Sequence, residues 1–149
     1  MKTLVIYDSG YGNTEKIAQS IGNAIGGDVK MLRIGDVKPD DLNAFDLLVI
    51  GSPTQGGRVT PAILAFLKNI PDSTIKEKKV AVFDTRMISK MVGIFGYAAG
   101  KLADSLKKRG AILIPSPEGF FVTTGKGSLK EGEIERAVSW AQQLPNGGK

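Results

Sequence analysis

Leu4-Val5-Ile6-Tyr7-Asp8-Ser9-Gly10-Tyr11-Gly12-Asn13-Thr14 is the stretch whose reading decides the fold. Its apolar start is a near-continuous run of the kind buried on both faces of a parallel sheet. From Thr14 onward Ile17, Ala18, Ile21 and Ile25 recur at helix spacing, and Gly26-Gly27 stops the segment. Between strand and helix lies a tight turn of glycines and hydroxyls. Such a turn points backbone N–H groups and hydroxyls at one spot, with the positive end of the helix dipole behind them. That spot suits a phosphate.

The same alternation continues through the chain. Val29–Ile34 alternates and reads as a second strand at a sheet edge, and Pro39-Asp40-Asp41-Leu42 is a connector or short helical turn. Leu47-Leu48-Val49-Ile50 is the most apolar strand. Pro61 stands where a first helical residue belongs, with Ile63, Leu64, Phe66, Leu67 and Ile70 following at helix spacing. Lys79–Asp84 is the fourth strand and Met87–Ile94 an apolar connector. A helix runs from about Tyr97 to Arg109 with Ala99, Leu102, Ala103 and Leu106 inward. Ala111–Ile114 is the fifth strand, broken by Pro115-Ser116-Pro117, after which Phe120–Thr123 is again extended. Glu131–Leu144 is the last helix, with Ile134, Val138, Trp140 and Ala141 packed. Strand and helix alternate five times with short connections, which predicts an α/β fold with a parallel sheet. Right-handed crossovers then place helices on both faces.

The chain has 149 residues, the size of one domain, and 42% apolar residues with a mean hydropathy of −0.03 are those of a soluble globular protein. We read 1–149 as a single domain without linker or repeat. With neither Cys nor His, the chain can build no disulfide framework, zinc or iron–sulfur cluster, Ser-His-Asp triad or thiol nucleophile. A redox role needs a borrowed cofactor. The opening apolar run is too short for a signal peptide and no later stretch spans a bilayer, so the expected compartment is the cytoplasm. The net charge is +5. Its lysines flank one strand (Lys76, Lys78, Lys79) and end one helix (Lys107, Lys108, Arg109) among interspersed acids. They form a solvated surface, or one that meets an acidic protein partner, rather than a nucleic-acid platform.

In open α/β sheets ligands bind outside the carboxyl ends of the strands, where strand order reverses. Three loops at that end are unusual: Ser9–Thr14, the run Gly51-Ser52-Pro53-Thr54-Gln55-Gly56-Gly57-Arg58, and Asp84-Thr85-Arg86. Each follows a buried strand, so the three can converge. A P-loop is excluded because Gly125-Lys126 has Phe120 where the first Gly belongs and Gly127 where the hydroxyl belongs. A dinucleotide fingerprint is excluded because Gly10 and Gly12 are followed by Glu15 in the third place, where a carboxylate repels a pyrophosphate.

Ser9-Gly10-Tyr11-Gly12-Asn13-Thr14 resembles the phosphate loop of the flavodoxin family, written [ST]-x-[ST]-G-x-T, and Gly51-Ser52-Pro53-Thr54 with Gly56-Gly57 resembles its second, ring-contacting loop. The resemblance runs in order through the whole chain to the closing helix with Trp140. It implies a three-layer sandwich, a five-stranded parallel sheet of order 2-1-3-4-5, and non-covalent FMN; a flavodoxin is itself a standard example of the switch-point rule. It implies that Ser9, Thr14 and the N–H groups of Gly10, Tyr11, Gly12 and Asn13 hold the phosphate. Ser52, Pro53, Thr54, Gln55, Gly56, Gly57, Asp84, Thr85 and Arg86 then surround the ring, with the Gly56–Gly57 peptide near flavin N5.

The chain departs from the family pattern around the ring. Tyr11 replaces a small hydroxyl and is expected at the rim. Gln55 stands where many flavodoxins place a large side chain. Arg86 follows the fourth strand in place of the usual stacking Tyr, with Phe95 and Tyr97 as candidates to reach back. Arg58 and Arg86 beside the ring predict a less reducing flavin than in typical flavodoxins. The apolar segment Met87–Phe95 reads as core packing, a lid, a subunit contact or a docking patch. Two functions follow from the resemblance: an electron-transfer module between redox partner proteins, or an FMN-dependent oxidoreductase acting on a quinone with NAD(P)H as donor. The stretches Pro117–Val122 and Lys126–Glu133 are similar in style to a protoporphyrinogen-oxidising branch.

Overall fold

In the computed structural model, which describes residues 1–55, 57–87, 97–123 and 127–145, the sheet order is the expected one. The strands are β1 (Lys2–Tyr7), β2 (Asp28–Arg33), β3 (Leu47–Pro53), β4 (Lys79–Arg86), β5 (Ile112–Leu113) and β6 (Glu118–Phe121). They run parallel in the order β2-β1-β3-β4-β5, and β6 also pairs with β4. The helices are α1 (Asn13–Ile25), α2 (Pro61–Lys68), α3 (Asp72–Ile75), α4 (Ala98–Lys108) and α5 (Glu133–Ala141), with a 3₁₀ segment over Pro39–Ala44.

Side chains alternate across each central strand, so the sheet fills two cores. Leu4, Ile6, Leu48, Ile50, Val80 and Val82 point to one face, under α2 and α4. Val5, Tyr7, Leu47, Val49, Ala81 and Phe83 point to the other, under α1 and α5. There Phe83, Phe120 and Trp140 meet edge to face in pairs, with ring centroids 6.1–6.3 Å apart. Gly51 must lack a side chain because a Cβ would fall inside the ring of Phe83. β2 is exposed along its length except for the half-buried Val29 and Leu32, as suits an edge strand, and the alternation expected from its sequence is not kept.

The fifth strand is one broken edge: Lys79 pairs with Ile112 but Phe83 pairs with Glu118, so this edge carries two more residues than β4 over the same span. Pro115 and Pro117 cannot donate to a ladder, and the extra residues sit there. Ile134 is 38% exposed rather than packed, because Glu133 takes the inward position, with Ala137, Trp140 and Ala141 following on the same face. On α2, Leu64 is on the surface. Two of the basic residues assigned to solvent have structural work. Lys78 donates to the carbonyls of Leu42 and Phe45 (3.2 and 2.7 Å), and Arg109 caps the end of α2 by donating to Leu67 O (2.9 Å) and Ile70 O.

Glu133 ties α5 to β6. Its carboxylate accepts from the Phe121 N–H (2.7 Å) and from Arg136 Nε and Nη2 (2.9 and 2.7 Å). The Arg136 hydrogen bonds lower its pKa, and they and the Phe121 N–H prevail over burial, which acts in the opposite sense. A depressed carboxylate stabilises the fold above its unfolded pKa and ceases to do so as pH falls through its folded value. Glu133→Gln is therefore expected to lose about 1–2 kcal/mol at neutral pH. Urea melts at pH 7 and near pH 3 check this: the gap from the unsubstituted protein must shrink at the acid end.

Candidate functional site

The carboxyl ends of β1, β3 and β4 open into one cleft of about 250 Å³. Ser9, Gly10, Tyr11, Asn13 and Thr14 line it from the first loop, Pro53, Thr54 and Gln55 from the second, and Thr85, Arg86 and Met87 from the third. The three predicted loops thus converge. Val122 completes the wall and was missed, although it stands just past the carboxyl end of the second half of the broken edge strand, where the same rule applies.

The first loop is built to present donors. Gly12 has φ 89°, a left-handed conformation that favours glycine, and its N–H donates to Ser9 Oγ (3.0 Å). Its carbonyl accepts the first helical bond from Lys16 N–H (3.0 Å). Among the described residues, the N–H groups of Gly10, Tyr11, Asn13 and Thr14 meet no acceptor. A Cβ on Gly10 would meet nothing within 4 Å, so open space lies before it. The loop is braced from behind. Arg33 donates to Ser9 O (3.2 Å) and to Glu15 (3.3 Å), Tyr7 donates to Glu15 (3.0 Å), and Asn13 Nδ2 donates to Gly127 O (2.6 Å). Glu15 accepts from those two partners and is not among the residues lining the cleft. Burial, then the Glu15 carboxylate, raises the pKa of Tyr7.

Thr14 and Thr85 join the first and third loops through their hydroxyls, 2.7 Å apart and buried. One hydroxyl donates to the other, so the accepting one keeps its proton for a third partner. In the second loop Gln55 and Arg58 exchange both backbone hydrogen bonds at 3.0 Å and close a two-residue turn on Gly57, whose φ is 78°. Gly56, the other residue of that turn, lies outside the described residues, as does the connector 88–96 with Phe95. Met87 is described and half-exposed on the cleft wall.

Ser52 and Asp84 are support rather than lining. Ser52 is fully buried; its hydroxyl donates to Pro53 O (2.8 Å) and accepts from Thr60 N–H (3.2 Å). Asp84 is fully buried and accepts from Arg86 Nε and Nη2 (2.6 and 2.8 Å) and from the Ala99 N–H at the start of α4 (2.8 Å). Arg86 also lies over the Tyr97 ring, 3.5 Å from its centroid, and against Gly119, where a Cβ would overlap the guanidinium. Arg58 lines a different groove, between α2 and α4. Among the described residues, neither arginine therefore sets an unpaired charge on the cleft: Arg86 is paired with the buried Asp84 and Arg58 lines the other groove.

The donor set fits a flavin mononucleotide. Neutral N–H and hydroxyl groups at a helix N-terminus satisfy a phosphate dianion without a lysine, and Tyr11, Pro53, Met87 and Val122 offer apolar walls to a ring. The family model of the flavodoxin domain matches residues 4–125. A flavodoxin of Clostridium beijerinckii is 31% identical over 122 residues, spanning 76% of this chain and 81% of its own length. Among solved structures, oxidised Flavodoxin 2 of Bacillus cereus has a TM-score of 0.76 over 95% of each chain at 26% identity. Oxidised Flavodoxin 1 of the same organism has a TM-score of 0.78 over 96% of each at 21%, a likeness of fold. The match spans every loop of the cleft's first three walls, and the chain belongs to the flavodoxin family of FMN-binding electron-transfer proteins.

Proposed function

We propose that the chain, as a single domain over 1–149, holds one FMN in this cleft and carries electrons between redox partner proteins in the cytoplasm. Ser9, Thr14 and the N–H groups of Gly10, Tyr11, Gly12 and Asn13 take the phosphate, with Gly12 sharing its N–H with Ser9. Pro53, Thr54, Gln55, Gly56, Gly57, Thr85 and Arg86 border the ring, and Ser52 and Asp84 hold those loops in place. The observation that supports this most strongly is the set of N–H groups at the start of α1 that, among the described residues, meet no acceptor, with open space at Gly10 and Gly12. The cofactor supplies the redox chemistry when bound, while the chain binds, orients and shields it. No titrating side chain of the chain's own is needed at the cleft.

Electron delivery tests the reading. The FMN-loaded protein, reduced anaerobically, is expected to reduce a one-electron protein acceptor such as oxidised rubredoxin stoichiometrically. NAD(P)H with a quinone is expected to give no sustained turnover above free FMN. Turnover well above that background would replace the carrier by an oxidoreductase.

A further inference from the structure

A second cavity, of about 510 Å³, lies on the surface between α2 and α4 and shares no lining residue with the first cleft. Its floor is apolar: Val59, Leu67, Ile70 and Leu102 are 2–6% exposed. Leu64 rises beside them at 45% exposure and extends the apolar floor onto the rim. Around this slot stand Arg58, Lys68 and Lys101, all exposed and, among the described residues, without a carboxylate partner. The one acid at the rim, Asp72, is paired with Arg109 at 2.7 Å. The groove also shares a turn with the cofactor cleft. Arg58 lines the groove and Gln55 lines the cleft, and the two exchange backbone hydrogen bonds.

We propose that this groove is the docking surface for an acidic protein partner that inserts one apolar side chain among Leu64, Leu67 and Leu102 and sets carboxylates against Arg58, Lys68 and Lys101. A cationic ring around an apolar slot selects that chemistry. The charges steer encounter and fix orientation, and the buried side chain supplies the lifetime. A plain anion has no use for the slot, and an apolar surface without carboxylates leaves three cations facing nothing. The electron-carrier reading adds only what passes across the interface: a partner seated here lies one tight turn from the cleft.

The probe is a synthetic peptide with a central Phe flanked by Glu residues, titrated into the isotope-labelled full chain with and without FMN and followed by amide chemical shifts. Shifts are expected to centre on Leu64, Leu102 and Ser105. Affinity is expected to fall more than tenfold when Phe becomes Ala in the peptide or in Lys68→Glu/Lys101→Glu. It is expected to change less than twofold in Lys16→Glu/Lys30→Glu, an equal change of charge at other exposed sites. Raising salt should weaken binding. Shifts spread over the whole basic surface, or equal losses in both double variants, would overturn the proposal. So would tighter binding of dodecanoate in the groove, or a dimer in sedimentation that Leu64→Ser abolishes. Peptide binding in the groove by a chain that takes up no FMN would sustain the docking surface and remove the carrier reading alone.

Discussion

Replacing Asp84 with Asn is expected to destabilise the protein by about 3–5 kcal/mol, the loss seen when one member of a buried ion pair is removed. Asp84 is fully buried and its two oxygens accept from Arg86 and from the Ala99 N–H. The Arg86 side chain is 16% exposed and held by the Tyr97 ring and the Gly119 backbone, so it cannot swing out to water without giving up those contacts. Asn leaves a buried cation with a neutral partner. In a chain of this length the loss lowers the melting temperature by about 6–20 °C. Asp84→Asn/Arg86→Met is expected to recover at least half of it, since apolar replacement of a whole buried pair is often neutral. The FMN-loaded single variant is also expected to have a higher reduction potential, because Arg86 borders the cleft and would carry an uncompensated charge there. Melting curves of the three proteins and a potentiometric titration of the single variant check this. An unchanged melting temperature, or a double variant worse than the single, would show that the pair does not hold this end of the sheet.

That pair marks a boundary of what a single sequence discloses. β1, β3 and β4 were legible because strands buried on both faces are uninterrupted apolar runs, and the loops after them stood out as glycine- and hydroxyl-rich. Sheet order and convergence of those loops followed from the strand–helix alternation and the family resemblance. Asp84 and Arg86 were read as separate lining residues, yet residues two apart on a strand share a face, and that periodicity could have joined them. Tyr97, a candidate to reach back toward the site, lies over the guanidinium, whereas Gly119, against which the guanidinium also packs, comes from another element and carries no local sign. The same holds for Arg33 behind Ser9 and Gly127 beside Asn13: each contact spans at least 24 positions of chain. Ile134 was misplaced because Glu133, a charge, occupies the inward position, which hydrophobic spacing alone cannot foresee. Leu64 stays on the surface because α2 is a short helix, rich in apolar residues, that buries only one side of itself.

The second large effect is the discrimination between FMN and riboflavin, which differ by the phosphate. A dianion in the first loop gains charge-assisted hydrogen bonds from N–H groups that meet no acceptor among the described residues, and each such bond contributes about 1.5–3 kcal/mol. The helix dipole adds to this, while stripping water from the phosphate opposes it. A net preference of about 3 kcal/mol corresponds to roughly a hundredfold difference in dissociation constant. Pro53, Thr54, Gln55, Met87 and Val122 serve both ligands alike, so the ratio isolates the loop from the ring site. Ser9→Ala, which removes the acceptor of the Gly12 N–H, is expected to narrow the gap without altering riboflavin binding. The direct measurement is an equilibrium titration of the cofactor-free protein with each flavin, followed by flavin fluorescence. Saturation at one FMN per chain, with riboflavin held about a hundredfold more weakly, is the predicted result. Equal affinity for the two flavins would contradict the account, since the loop at Ser9–Thr14 would then not be a phosphate site.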